Sequence, residues 1–153
     1  MTTRRDMIKH SAVVAGLLAA AGLLPQAALA EGINRSAFDA KSMDELAKAL
    51  GVGKPVESPL VTLTGPDIAE NGAVVPLAAA STAPGVKRLL LLVEKNPAML
   101  AASFEVSDAV EPSMSTRVKM GQTSNVYAVA ITADNKVLFA QKEVKVTLGG
   151  CGG

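Results

Sequence analysis

The sequence predicts an all-β fold: an immunoglobulin-like antiparallel β-sandwich with one short N-terminal helix and a flexible C-terminal Gly-Gly-Cys-Gly-Gly arm. Three observations point there. Short apolar runs recur from Val61 onward between turn signals, about seven in all. One of them, Leu89–Val93, is apolar at five consecutive positions, as a central strand buried on both faces requires. The last one alternates Val144, Val146 and Leu148 with Glu143, Lys145 and Thr147, the pattern of a strand with one face on a core.

The elements follow in order. Residues 1–30 carry a basic start (Arg4, Arg5, Lys9), an Ala/Leu/Val-rich run from Ala12 to Leu24, and Ala28-Leu29-Ala30, a small-x-small processing site. The uncharged stretch from Ser11 to Ala30 is two-fifths alanine and ends in that processing site, which favours a cleaved signal over a membrane anchor. Thr3-Arg4-Arg5 followed by Met7, Ile8 and Lys9 resembles the twin-arginine export signal, a route that carries folded proteins, often with a partner. The expected organisation is therefore a removed signal over 1–30, a carrier domain over 31–148 and an arm over 149–153, in a periplasmic protein.

From Glu31 to Lys41 no period is visible and Phe38 is the one large anchor. Ser42 and Glu45 then form a capping-box pattern, Met43, Leu46, Ala47 and Leu50 share a helical face, and Gly51 supplies the stop. Strands are expected over Val61–Thr64, Ala73–Ala80, Val86–Val93, Leu100–Val106, Ser115–Met120, Asn125–Thr132 and Lys136–Leu148. Glu70-Asn71-Gly72, Lys95-Asn96-Pro97, Gly121-Gln122-Thr123 and Ala133-Asp134-Asn135 are the turns between them. Aromatic residues make up only 3% of the chain, so the core must be built from Val, Leu, Ala and Ile. Covering a sheet face with another subunit would supplement so lean a core.

Composition excludes several functions. Without residues 1–30 the chain has 12 basic and 13 acidic residues, a net charge of −1. Nucleic acid and anionic membrane surfaces need a clustered positive field, so neither is an expected partner. His10, the sole histidine, leaves with the signal. The remainder has one cysteine and no histidine, so no Ser-His-Asp or Cys-His pair, histidine zinc site or paired-cysteine metal knuckle can form within it. No cofactor or metal is expected.

What remains is Cys151, flanked by Gly149, Gly150, Gly152 and Gly153. Glycine costs the most backbone entropy to order and has no side chain to bury, so a mobile arm is expected. Extended, Leu148 to Cys151 reaches roughly 10 Å beyond the sheet. Its glycines also suit a channel too narrow for side chains. A cysteine thiolate bonds oxidised sulfur species and releases them again by exchange or oxidation. An unperturbed thiol is mostly protonated near neutrality and glycines offer no base, so activation belongs to a partner enzyme. Other readings of the tail stay open: an interchain disulfide that tethers a structural subunit, or a redox-sensing thiol, which would lack a resolving cysteine in this chain. Prenylation fails because the cysteine is third from the end of the sequence. Gly152-Gly153 also resembles the tails of ubiquitin-like sulfur carriers, whose cytosolic activation an export signal argues against.

Four segments in order resemble the SoxY family of sulfur-substrate carriers in the periplasmic thiosulfate-oxidising system. They are Pro66-Asp67-Ile68-Ala69-Glu70-Asn71-Gly72 with Val75-Pro76; Glu94-Lys95-Asn96-Pro97 with Phe104; Met120-Gly121-Gln122-Thr123 before Tyr127; and Lys145-Val146-Thr147-Leu148-Gly149-Gly150-Cys151-Gly152-Gly153. Each internal motif alone is ordinary turn chemistry; the specificity lies in their order together with the final pentapeptide. The resemblance implies that Cys151 is the covalent attachment point and that the chain pairs with a smaller immunoglobulin-like subunit, SoxZ, as a heterodimer or heterotetramer. It further implies transient docking to a c-type cytochrome that couples thiosulfate to the thiol, a dimanganese hydrolase that releases sulfate, and in many organisms a molybdenum sulfane dehydrogenase. The metals and haem belong to those enzymes. Asn71, Gly72, Asn96, Pro97 and Gly121 to Thr123 are read as shaping turns and a strand entry rather than touching substrate.

Overall fold

The computed structural model describes residues 35–147. The signal expected over 1–30, Leu148, and the arm with Gly149, Gly150, Cys151, Gly152 and Gly153 lie outside the described residues.

Two short helices open the described chain, α1 (Arg35–Asp39) and α2 (Met43–Leu50). The capped helix forms as the sequence requires. Ser42 is extended and its hydroxyl accepts the Glu45 N–H at 3.2 Å. The returning half of the box reaches one residue further back, with the Glu45 carboxylate accepting the Lys41 N–H at 2.8 Å. Gly51 stops the helix in the left-handed region at φ 67°, its N–H turned back onto Ala47 and Lys48 carbonyls. The helix α1 was not expected, and Phe38 is not an anchor: it is 37% exposed, while Ala37 and Ala40 are the buried residues. A five-residue helix is too short to show a period, and small side chains let it lie close against its neighbours.

Nine strands follow: β1 (Pro55–Glu57), β2 (Val61–Thr64), β3 (Ile68–Ala69), β4 (Val75–Ser81), β5 (Val86–Val93), β6 (Leu100–Glu105), β7 (Ser113–Val118), β8 (Ser124–Thr132) and β9 (Val137–Val146). One sheet runs β1-β9-β8-β5-β6 with β3 also on β9; the other runs β2-β4-β7. The fold is thus the all-β sandwich that the alternating runs predict. All pairings among the long strands are antiparallel. The purely antiparallel reading needs correction at one edge, where β1 and β3 each pair with β9 in parallel. Three and two residues are too few for a legible pattern, and their register is imposed by β9.

β5 shows why its apolar run has no alternation. Leu89, Leu91 and Val93 enter the core between the sheets, while Leu90 and Leu92 enter a second core beneath the helices. β8 divides in the same way, with Val126, Ala128 and Ala130 between the sheets and Val129 and Ile131 under the helices. Leu46 of α2 joins that second core, so the helices cover a face of the large sheet and not its end. Burying one Leu or Val in this way contributes roughly 1.5–3 kcal/mol. The largest fully buried side chains are Leu, Val and Met120. The one aromatic pair, Tyr127 and Phe139, stands edge to face with centroids 6.0 Å apart, and both rings are half-buried.

Candidate functional site at the base of the C-terminal segment

The described chain stops at Thr147, four residues before Cys151 in the sequence. The structure does not place Cys151 or its glycines; what it places is the strand that leads to them. On one side of β9 the Lys145 N–H donates to the Asp67 carbonyl at 2.9 Å and the Thr147 N–H to the Ala69 carbonyl at 3.1 Å. The Thr147 hydroxyl reaches the same Ala69 oxygen at 3.4 Å. On the other side the Val146 N–H donates to Thr123 Oγ1 at 3.0 Å. β9 is therefore held from both edges to its last described residue.

The segments behind this grip are the internal motifs of the sequence. Asn71 Oδ1 accepts the Ala73 N–H at 2.9 Å, a side-chain turn that brings the chain around at Gly72. Gly72 accepts the Met120 N–H at 2.7 Å and lies against β9 so closely that a Cβ there would stand 2.3 Å from the Met120 carbonyl oxygen and 2.8 Å from Val146 Cγ1. The second motif, Glu94 to Pro97, is tied to the residues on either side of the third. Asn96 Nδ2 donates to the Lys119 carbonyl at 2.8 Å, and the Lys95 N–H donates to Ser124 Oγ at 3.1 Å. Three segments far apart in sequence thus meet at the end of the sandwich from which the C-terminal segment leaves. The turn reading of Asn71, Gly72, Asn96 and Thr123 holds, but the turns act on each other and on β9.

Electrostatics reinforce the grip. Lys142 lies on the inward-facing register of β9 but extends to the rim, where its ammonium meets Asp67 at 2.9 Å and the Gly65 carbonyl at 2.6 Å. The hydrogen bond and charge of Lys142 hold the Asp67 carboxyl below its ordinary value. On the neighbouring face Asn125 Nδ2 and the Tyr127 hydroxyl both donate to Glu94 Oε2, at 2.9 and 3.2 Å. Burial and then the Glu94 charge push the Tyr127 phenol up. Two exposed apolar side chains lie nearby in the sequence, Ile68 in the segment Pro66–Gly72 and Val74 just after it.

Sequence reasoning missed Asp67, Lys142 and Thr147 as a group and saw Thr123 only as a turn residue. No local pattern announces them, because the partners are separated by 23 residues for Thr123 and Val146 and by 78 for Ala69 and Thr147. The described residues contain no histidine and no cysteine. Among them no three Asp or Glu side chains gather as a metal site. No helix of the described residues is long and apolar enough to cross a membrane.

The described residues thus form a helix-covered β-sandwich in which three sequence motifs and the end of β9 come together at one end. Residues 46–151 match the protein-family model described as "Sulfur oxidation protein SoxY". The structure is similar to the sulfur carrier protein SoxY from Chlorobium limicola f thiosulfatophilum at 34% identity and a TM-score of 0.62, covering 69% of this chain and 94% of that one. The chain belongs to the SoxY family. It is also similar to a superoxide reductase (neelaredoxin) from Ignicoccus hospitalis, at 14% identity and a TM-score of 0.51 over 57% of this chain and 79% of that one. A putative superoxide reductase from Thermotoga maritima gives 11% and 0.51 over 64% and 96%. These two likenesses show the fold alone. No curated protein matches the chain.

Proposed function

We propose that the chain carries intermediates of sulfur oxidation as covalent adducts on Cys151 and presents them to partner enzymes. The coarser role follows from the family: the chain is a sulfur-oxidation carrier that works with partner proteins and is not itself an enzyme. The observation that supports the finer reading is the extent of the family match, which runs through to residue 151 and so includes Cys151. Loading removes two electrons: the thiol and thiosulfate join as Cys–S–S–SO3⁻, releasing one proton and two electrons to an acceptor such as a c-type cytochrome. Water then cleaves the terminal sulfonate as sulfate plus a proton and leaves a persulfide on the cysteine, the step assigned to a dimanganese hydrolase. A molybdenum sulfane dehydrogenase is the further partner for oxidising that sulfur. The four glycines around Cys151 add no side-chain bulk where the thiol enters such enzymes. Export by the twin-arginine route to the periplasm and pairing with a SoxZ-like subunit complete the reading.

Intact-mass spectrometry of the protein purified from its native host tests it. The expected spectrum contains masses for added sulfur and sulfonate that disappear with reductant and are absent from Cys151→Ser. A thiol that stays unmodified during thiosulfate oxidation overturns the reading, and so does a stoichiometric interchain disulfide that persists through turnover. Isolation of a stable monomer without a second small subunit would refute the pairing.

A further inference from the structure

We infer that Thr123 and Gly72 are positioning residues for the carrier: with the β3 segment they form a buckle that fixes the anchor point, at Val146 and Thr147, from which the sequence continues to Cys151. This rests on the carrier reading and adds to it a place where delivery is controlled. The two sides of β9 are gripped differently. The β3 side uses backbone, with the Asp67 and Ala69 carbonyls receiving the Lys145 and Thr147 amides. The β8 side has, at the last turn of the strand, a side chain: Thr123 Oγ1 receives the Val146 N–H at 3.0 Å where a continued β8 strand would have offered a carbonyl. β8 begins only at Ser124, paired with Val144, so the threonine hydroxyl extends the grip on β9 by two residues beyond the ladder.

Gly72 closes the same buckle from a third side. It has room for no Cβ, since the nearest obstacle is the Met120 backbone at 2.3 Å and the next is Val146 itself at 2.8 Å. The Met120 N–H to Gly72 carbonyl bond at 2.7 Å couples that contact to the loop carrying Thr123. A strand anchored at Val146 and Thr147 has only three intervening residues before the sulfur. With so short a tether, the position of the anchor bounds where the thiol can be delivered, and small misplacement of reacting groups is costly to rate. Direct chemistry of the thiol with a small molecule places no such demand on the anchor.

The test compares two reactions of the same cysteine. Thr123→Val removes the hydroxyl while keeping the branched shape, Thr123→Ser keeps the hydroxyl, and Gly72→Ala displaces Val146. For each, alkylation of Cys151 by iodoacetamide is measured beside thiosulfate loading by the partner enzymes of the native host, with circular dichroism to follow folding. Thr123→Val is expected to keep the wild-type alkylation rate and lose about tenfold in enzyme-dependent loading, with Thr123→Ser restoring it. Gly72→Ala, if folded, follows Thr123→Val. Equal loading of wild type and Thr123→Val overturns the inference, as does a fall in loading that matches a fall in alkylation or in the folded fraction. A wild-type protein that is never loaded at Cys151 overturns the carrier reading itself, a different result from equal loading of all variants.

Discussion

At the scale of single residues, the positions that matter most are those with no slack. Gly72 is one: an alanine there must move the Met120 backbone or Val146. Gly72→Ala is expected to cost roughly 1–3 kcal/mol as an overpacking substitution, measurable as an earlier urea midpoint with an unchanged slope. Asp67 is a different case, exposed and with an effect that depends on pH. Lys142 holds its folded pKa below the 3.8 of the free carboxyl, so the stabilisation is present above about pH 4 and is lost as pH falls through the lower folded value. The carboxylate is 89% exposed in its side chain, which keeps the effect small through solvent screening. Melting temperatures recorded between about pH 2 and 6 should therefore fall less steeply for Asp67→Asn than for the wild type; identical slopes would show that the pair is not formed in solution. Lys136 behaves in the opposite sense. Asp134 raises its pKa above 10.5, so its contribution is present below that value and is lost as pH rises through the folded one.

The elements divide into those whose residues declare them and those that exist through a neighbour. The helix α2 declares itself through Ser42, Glu45, its apolar face and Gly51, and the structure reproduces the Ser42 cap, the buried face and the Gly51 stop, with the Glu45 carboxylate accepting from Lys41 in place of Ser42. Removing the cap by Ser42→Ala should destabilise the protein by about 1 kcal/mol and lower its melting temperature by a few degrees, as read by calorimetry. The strand β5 declares itself through its unbroken apolar run, and its boundaries match the expectation of Val86–Val93. Leu91 is fully buried in the inter-sheet core, so Leu91→Ala should cost roughly 2–5 kcal/mol. That is a large share of the about 5–15 kcal/mol that holds an ordinary domain together, and chemical denaturation measures it directly. By contrast β1, β3 and α1 give no local signal. The strand β7 begins at Ser113, two residues before the expected Ser115, because pairing with Ala80 of β4 continues the ladder almost to Pro112. A residue next to proline looks like loop when read alone.

For the whole molecule, the proposed carrier role divides the work between the sandwich and the cysteine. The described residues supply a packed sandwich and a gripped strand, with no nucleophilic thiol or imidazole among them. Cys151→Ser should accordingly abolish every sulfur adduct while leaving the melting temperature of the protein unchanged, as mass spectrometry and calorimetry on one sample would show. A melting temperature that drops with the substitution would mean that Cys151 is packed into the fold and cannot be an independent carrier group.

The sequence by itself determined the all-β class, the main strands and the capped helix, because each depends on signals within a few residues: alternation, a cap or a turn dipeptide; it also offers Cys151 as its single thiol, the residue on which the proposed carrier role rests. Tertiary structure alone decided that β1 and β3 run parallel to β9, that the helices cover a sheet face, and that the motifs around Gly72, Asn96 and Thr123 meet at one end. The physical reason is distance along the chain. A hydrogen bond between Thr123 and Val146, or between Ala69 and Thr147, has no energy until the fold has brought its ends together, and so leaves no period or spacing in the sequence.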